Sequence, residues 1–223
     1  MTDIRQASLE PGSHERLPGN AAQAGPFVIL SLAAVWAYRR FDQLPARIPI
    51  HWNWRGEADG FVSRTPLGVT LPLLIGAGIC ALMLAMQTGL RRSTPRGAMR
   101  APSIKLLLAS EYFAAILCCV ALGASMSGGR LLWLLLVVAS AGIVALLGYT
   151  VALSRRAPEE PVRNPGAWHG GLFYVDRNDP ALFVPKRTGL GYTFNFGHPG
   201  AIALTVATLL LPLIALAVAF LAR

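Results

Sequence analysis

The sequence predicts an all-α polytopic membrane protein with about five transmembrane helices. A short external β-strand and turn and a small cytoplasmic β-meander are expected in its loops. Three observations predict this. Of 223 residues, 54% are of hydrophobic type and only 14% are charged, against roughly 25% charged in a soluble domain. The missing charge is concentrated in five long apolar blocks, each close to the roughly 20 residues that cross a bilayer. The blocks are also continuous rather than alternating, which excludes barrel strands and leaves helices as the way to pair every backbone amide in lipid.

Residues 1–24 are polar and rich in Gly, Pro and Gln, and are expected to form a mobile tail. The first block, about Ala21 to Tyr38, is followed by Arg39 and Arg40. Trp36, Tyr38 and the two arginines read as an interfacial anchor rather than a small-residue cleavage site. With the second block, Thr65 to Leu90, it makes a two-helix membrane domain (25–90) around an external loop at 39–64. Blocks three (Leu106 to Met126) and four (Leu131 to Leu153) form a helical-hairpin region (91–153) with a cytoplasmic loop at 91–105. A cytoplasmic basic β-rich module (154–200) precedes the fifth block, Ala201 to Leu221, in the C-terminal segment 201–223. Pro72 and Pro212 fall inside blocks two and five, where contacts with other helices make them tolerable. Small residues at Gly76–Gly78, Gly123–Ser125 and Ala139–Gly142 are suited to close helix approach.

The net charge of +9 does not call for nucleic acid, because the arginines crowd the ends of apolar blocks, where anionic headgroups lie. The tail, the 91–105 loop and the 154–200 loop carry 2, 5 and 6 Lys or Arg, whereas the 39–64 loop, the turn near 130 and the C-terminus carry 5, 1 and 1. The positive-inside rule therefore puts the N-terminus in the cytoplasm and the C-terminus outside. Cys80, Cys118 and Cys119 all lie within apolar blocks and read as small buried side chains, not as a disulfide framework or a metal cluster. No cofactor is expected.

In the external loop, Ile48, Ile50, Trp52 and Trp54 alternate with Pro49, His51 and Asn53, a strand period that predicts one face for the four apolar side chains. A turn through Gly56 leads to Asp59 and Gly60. His51, Glu57 and Asp59 lack any usual zinc spacing, so no metal site is predicted. In the long cytoplasmic loop, Trp168 to Val175 and Tyr192 to Phe196 read as strands on either side of two turns. The basic turn Lys186–Arg187–Thr188–Gly189–Leu190–Gly191 suits anionic lipid; it lacks the Lys-Ser/Thr pair and following helix of a Walker loop. Trp168, Tyr174, Asp179, Lys186, Arg187 and Asn195 are the candidate lipid- or partner-contacting residues of this module.

Glu111 is the one acid inside a span. An intramembrane acid suggests function, but its position six residues past Lys105 implies a site about 9 Å along the helix, close to the interface, which favours an interfacial or hydrogen-bonded glutamate over a proton or cation site.

The run Leu44-Pro45, Ile48-Pro49, His51, Asn53, Gly56 and Asp59-Gly60, placed after a first transmembrane helix, resembles the membrane domain of unknown function found in bacterial SdpI-type immunity and signalling proteins. The resemblance covers about residues 25–90. Residues 165–197, with Gly171-Leu172-Phe173-Tyr174, Asp179-Pro180, Phe183-Val184-Pro185-Lys186-Arg187 and Asn195, resemble a second domain of unknown function found in the same architecture. Neither implies catalytic residues. The chain departs from the SdpI type in having five predicted spans rather than six. The resemblance implies a bacterial inner-membrane protein that protects against, or senses, a membrane-active secreted peptide, with the lipid bilayer and a peptide or regulatory protein as partners. Its ligand-facing residues would be Pro49, His51, Trp52, Asn53, Gly56, Asp59 and Gly60. Two other classes fit parts of the sequence: a small transporter using Glu111 and the prolines, and a membrane enzyme using His51, Glu57 and Asp59.

Overall fold

The computed structural model describes residues 17–93, 100–155, 163–187 and 191–221. Five helices are long and apolar enough to cross a membrane: α1 (Asn20–Arg39), α2 (Pro66–Ser93), α3 (Arg100–Met126), α4 (Leu132–Ser154) and α5 (Pro199–Leu221). The chain is a multi-pass membrane protein. Most of the predicted tail (residues 1–16) and the turn residues Thr188, Gly189 and Leu190 lie outside the described residues.

The helix starts follow local chemistry. Pro66 opens α2 at the position where a missing N–H costs nothing, and Thr65 Oγ1 accepts the Gly68 amide at 3.0 Å. Pro199 does the same for α5, where the Gly200 amide donates to His198 Nδ1 at 3.0 Å. Between α3 and α4 the chain reverses through Gly128 and Gly129, at φ +65° and +92°, a left-handed conformation that glycine adopts without a Cβ clash.

The antiparallel pair α2–α3 is the centre of the bundle. Helix α1 packs on both, α4 packs on α3, and α5 packs on α2. Small residues set these approaches. A Cβ on Gly76 would press on Cys118, one on Gly78 would meet Leu211, and one on Gly142 would overlap the Phe113 ring. Without a hydrophobic force between helices in lipid, such close packing supplies much of the association. Helices α4 and α5 are exposed and apolar over most of their length, as at Trp133, Leu147, Leu209 and Leu216, which is the pattern of lipid-facing elements.

One contact joins α1 to α3 through a polar requirement. Pro26 lies inside α1 and has no N–H, so the Ala22 carbonyl loses its partner within the helix. The Tyr112 hydroxyl of α3 donates to that carbonyl at 2.8 Å. Gly25 leaves the space, since a Cβ there would overlap the Tyr112 ring.

Strands β1 (Arg47–Trp52) and β2 (Ala58–Ser63) form an antiparallel hairpin between α1 and α2. Its root, Ile48 and Val62, is buried with Leu44, Leu73 and Leu122, and Val218 and Ala219 near the end of α5 pack on the same cluster. The long loop forms two further pairs, β3 (Trp168–His169) with β4 (Phe173–Tyr174) and β5 (Phe183–Pro185) with β6 (Tyr192–Phe194). The expected single meander is therefore corrected to two short hairpins, joined by one parallel bridge between Tyr174 and Asn195. The reason lies in Gly170 and Gly171, whose φ of +57° and +73° reverse the segment that alternation had read as one strand.

Leu182 and Phe183 of this module pack with Leu90, Ile104 and Ala201, near the end of α2 and the start of α5. The β1–β2 hairpin and the module therefore sit at opposite ends of the bundle, separated by most of the 23 residues of α5, about 34 Å at 1.5 Å per residue.

Replacing Tyr112 with Phe leaves the Ala22 carbonyl unpaired in an apolar setting, at a cost of about 1–3 kcal/mol. The expected result is a fall in the thermal midpoint of about 2–4 °C for each kcal/mol, measured by unfolding of the detergent-solubilised protein. An unchanged midpoint would remove this contact from the account of α1 docking.

Candidate functional site

The loop that joins α1 to α2 is a compact, self-organised hairpin. Asn53 directs its turn: its Oδ1 accepts the amides of Arg55 and Glu57 at 2.9 and 3.0 Å, and its Nδ2 donates to Glu57 Oε2 at 2.9 Å. This is the side-chain mimicry of a backbone turn for which Asn is favoured. Gly56, at φ +79°, completes it. Gly60 lies opposite His51 in the ladder, and a Cβ there would be 2.7 Å from His51 Cβ. The missing side chain lets the His51 ring cross to Asp59, with Nδ1 and Oδ1 at 2.5 Å. Both side chains remain solvent-accessible. Trp52 is half-buried against the α3–α4 turn, where a Cβ on Gly129 would come within 2.8 Å of its indole nitrogen.

The predicted single apolar face is not what forms. Register shifts at Pro49/His51 and His51/Trp52 break the two-residue period, so Pro49 is buried beside Ile48 while Trp54 is 87% exposed on the turn. Arg55 stacks over the Trp54 ring at 4.8 Å. Of the sequence-predicted residues, Pro49, Asn53, Gly56 and Gly60 build the hairpin, whereas His51, Trp52 and Asp59 present chemistry on it. Glu57 closes the turn with Asn53, and His51 with Asp59 forms a pair; no group of three His, Cys, Asp or Glu side chains suited to a metal occurs among the described residues.

Ile50 is the point where three apolar clefts meet. The first, about 770 Å³, lies between the hairpin and Leu213, Leu216 and Phe220 of α5. The second, about 560 Å³, is floored by Leu71, Pro72 and Ile75 of α2 and Leu117 and Ala121 of α3, and is flanked by Leu135 and Ala139 of α4 and Ala219 of α5. The third, about 580 Å³, continues from there beneath the Trp52–Gly56 turn. Together they form a groove over the α2–α3 pair, between α4 and α5, capped at one end by the hairpin.

At the opposite end the module is held by one carboxylate. Asp179 accepts from Arg163 Nε and Nη2 at 2.7 and 2.9 Å, from the Tyr174 hydroxyl at 2.9 Å and from the Ala181 amide at 2.9 Å. Asn195 ties the two hairpins together: its Oδ1 accepts the Asp176 and Gly197 amides, and its Nδ2 donates to the Asp176 and Asp179 carbonyls. Tyr174, Asp179 and Asn195 are buried, and Trp168 stacks edge-on against Tyr174 at 5.3 Å. These four were expected as contact residues; in the structure their polar atoms or ring faces are engaged inside the module, with Trp168 half-buried. Lys186 and Arg187 are exposed, as is an apolar run at Leu172 and Phe173.

Glu111 lies eleven residues into α3 rather than near its start, is fully buried, and accepts from Gln87 Nε2 at 2.6 Å through Oε2. Of the two expected settings, interfacial or hydrogen-bonded, the side chain takes a hydrogen bond, and α3 extends below Lys105 to Arg100. Gln87, and Gln23 beyond it, were not singled out from sequence. A lone glutamine within the apolar stretch of α2 was the available signal.

Two family matches can now be set on this geometry. Residues 27–76 match a domain of unknown function, DUF1648, and residues 177–202 match a family of unknown function, DUF5808. The first covers most of α1, the whole β1–β2 hairpin and the beginning of α2; the second runs from the turn before β5 into α5. No curated protein and no solved structure matches the chain.

Burial, with the hydrogen bond to Asp179 and the negative charge behind it, pushes the Tyr174 hydroxyl up to about 12 from an ordinary 10.0. A raised folded-state value means that the stability held by neutral Tyr174 is complete below about pH 10 and is lost as pH rises from there through about 12. Spectrophotometric titration should therefore show one late tyrosine with module unfolding in that window. In Tyr174→Phe the late ionisation should be missing. A late step that survives the substitution would assign it to another tyrosine.

Proposed function

We propose that the protein is a bacterial inner-membrane immunity or sensing protein that acts by binding, and that its ligand is a membrane-active peptide taken up as a helix. The observation that carries this is the groove between α4 and α5, floored by α2 and α3 and capped by Ile50 and the Trp52–Gly56 turn. It opens sideways, so a peptide already in the bilayer reaches it without leaving lipid. An apolar groove gains nothing from the hydrophobic effect there, and affinity must come from close fit and from polar contacts at the ends. The hairpin supplies those contacts through His51, Asp59 and the exposed indole of Trp54. Their place beside the groove supports a receptor role for the hairpin.

The orientation proposed from the charge distribution puts the hairpin outside, where a secreted peptide arrives, and the basic module inside, where Lys186 and Arg187 meet anionic lipid or a regulatory protein. A cysteine replacing Trp54 should react with a membrane-impermeant maleimide in intact cells, and one replacing Lys186 only after permeabilisation. The reverse pattern would invert the topology.

The binding role is tested by filling the groove. Ala139→Trp, at unchanged membrane abundance, should abolish protection of cells challenged with membrane-active peptides, and should abolish crosslinking of such a peptide to a photoreactive residue placed at Ala121. Protection equal to that of the unaltered protein would sink the groove as the binding site. Unchanged sensitivity on deleting the whole protein would sink the immunity reading itself.

A further inference from the structure

A polar path enters the apolar bundle from the end that carries the basic module. Gln23 of α1 is half-buried and donates to Gln87 Oε1 at 3.4 Å; Gln87 of α2 is fully buried and reaches Glu111 of α3 at 2.6 Å. The second carboxyl oxygen of Glu111, Oε1, is buried with no hydrogen-bond partner among the described residues. The described groups around it form no ion pair with it. Cys80 of α2 points its sulfur at the Glu111 carbonyl at 3.6 Å, and Tyr112 is turned to Ala22 on α1. Two arginines of this end turn to backbone carbonyls, Arg91 to Pro18 and Arg100 to Arg91, with the Nε of each buried and unpartnered among the described residues. Lys105 is exposed. Among the described residues, ion pairs form only at His51–Asp59 and Arg163–Asp179.

An ionised carboxylate in such a place is strongly disfavoured unless it is paired and fully hydrogen-bonded, and Glu111 is neither. The contact with Gln87 also has the length of an O–H···O bond, shorter than the usual N–H···O range. With the Gln87 and Gln23 amides both turned over, an assignment that the two ends of each amide permit, the carboxylic acid donates to the Gln87 carbonyl and the Gln87 amide donates on to the Gln23 carbonyl.

We propose that Glu111 is a proton-binding site within the membrane domain: the α1–α2–α3 packing described above holds the proton, and its release opens that packing on the side of Gln23. The proton leaves along the Gln23 side to water, and the carboxylate left behind requires new donors, which water entering between α1 and α2 supplies. This is independent of the peptide groove, whose three clefts are lined by no residue of α1 and by none of Gln23, Gln87 and Glu111.

The test is infrared difference spectroscopy of the full-length protein in liposomes, labelled with ¹³C-glutamate and stepped in pH. A glutamic-acid C=O band should be present at neutral pH, should shift on labelling, should be lost in Glu111→Gln, and should change frequency in Gln87→Leu. Labelling of Glu111 by dicyclohexylcarbodiimide, followed by mass spectrometry, should fall tenfold or more as pH rises through the loss of that band. No glutamic-acid band at neutral pH in the unaltered protein would overturn the proposal, and needs no variant to fold. A band that persists in Glu111→Gln would also overturn it.

Discussion

Lipid offers no hydrogen bonds, so each polar group that the sequence places inside the bundle must be met by another helix. The Ala22 carbonyl shows how far this constraint reaches. Pro26 frees it, Tyr112 meets it from α3, and Gly25 must then be glycine so that the ring can lie against α1. The register of α1 on the α2–α3 pair follows from that contact. So does the placement of the hairpin, because α1 delivers the chain to β1 within a few residues of its own end. The same constraint acts on Gln87 and Glu111, which find one another across the α2–α3 interface.

The periphery obeys a different rule. Helices α4 and α5 each pack mainly on one other helix and show most of their remaining surface to lipid. Their separation leaves the α2–α3 pair uncovered along the groove, and the hairpin is the only described element that closes an end of it. The module at the opposite end is held in another way: its core is small, and the carboxylate of Asp179 with the amide of Asn195 replaces the apolar area that a larger domain would bury. It is an independent polar knot seated on the ends of α2 and α5, not an extension of the hairpin.

Much of this was legible in the residues. The apolar blocks located all five helices to within a few residues, except that α3 begins earlier, at Arg100, because the charges of Arg100 and Lys105 lie on a helix that continues past the apolar stretch. The first strand and a following turn through Gly56 were legible, but the second strand was not: Asp59 and Gly60, read as the end of the turn, lie in β2. What failed was the strand period: two register shifts beside Pro49 move Trp54 out of the apolar face, since a proline cannot donate to a ladder. Alternation likewise read Trp168 to Val175 as one strand, although Gly170–Gly171 was a turn signal in plain view. The buried roles of Tyr174, Asp179 and Asn195 were not legible, because a polar residue in a loop looks alike whether its partners are water or other loop residues.

By itself, then, the sequence determined that the chain crosses the membrane and where it does so, since length and hydropathy are properties of single segments. It also marked the turn at Gly56, since a glycine's left-handed φ is a local matter of backbone torsion. Only the tertiary structure decided that α2 and α3 form the centre, that α4 and α5 stand apart over a groove, and that Glu111 meets Gln87 rather than water. Those facts depend on which helix faces which, and apolar faces of nearly uniform composition carry no code for their partner. The choice rests on a few glycines and polar atoms whose significance appears only when the helices are side by side.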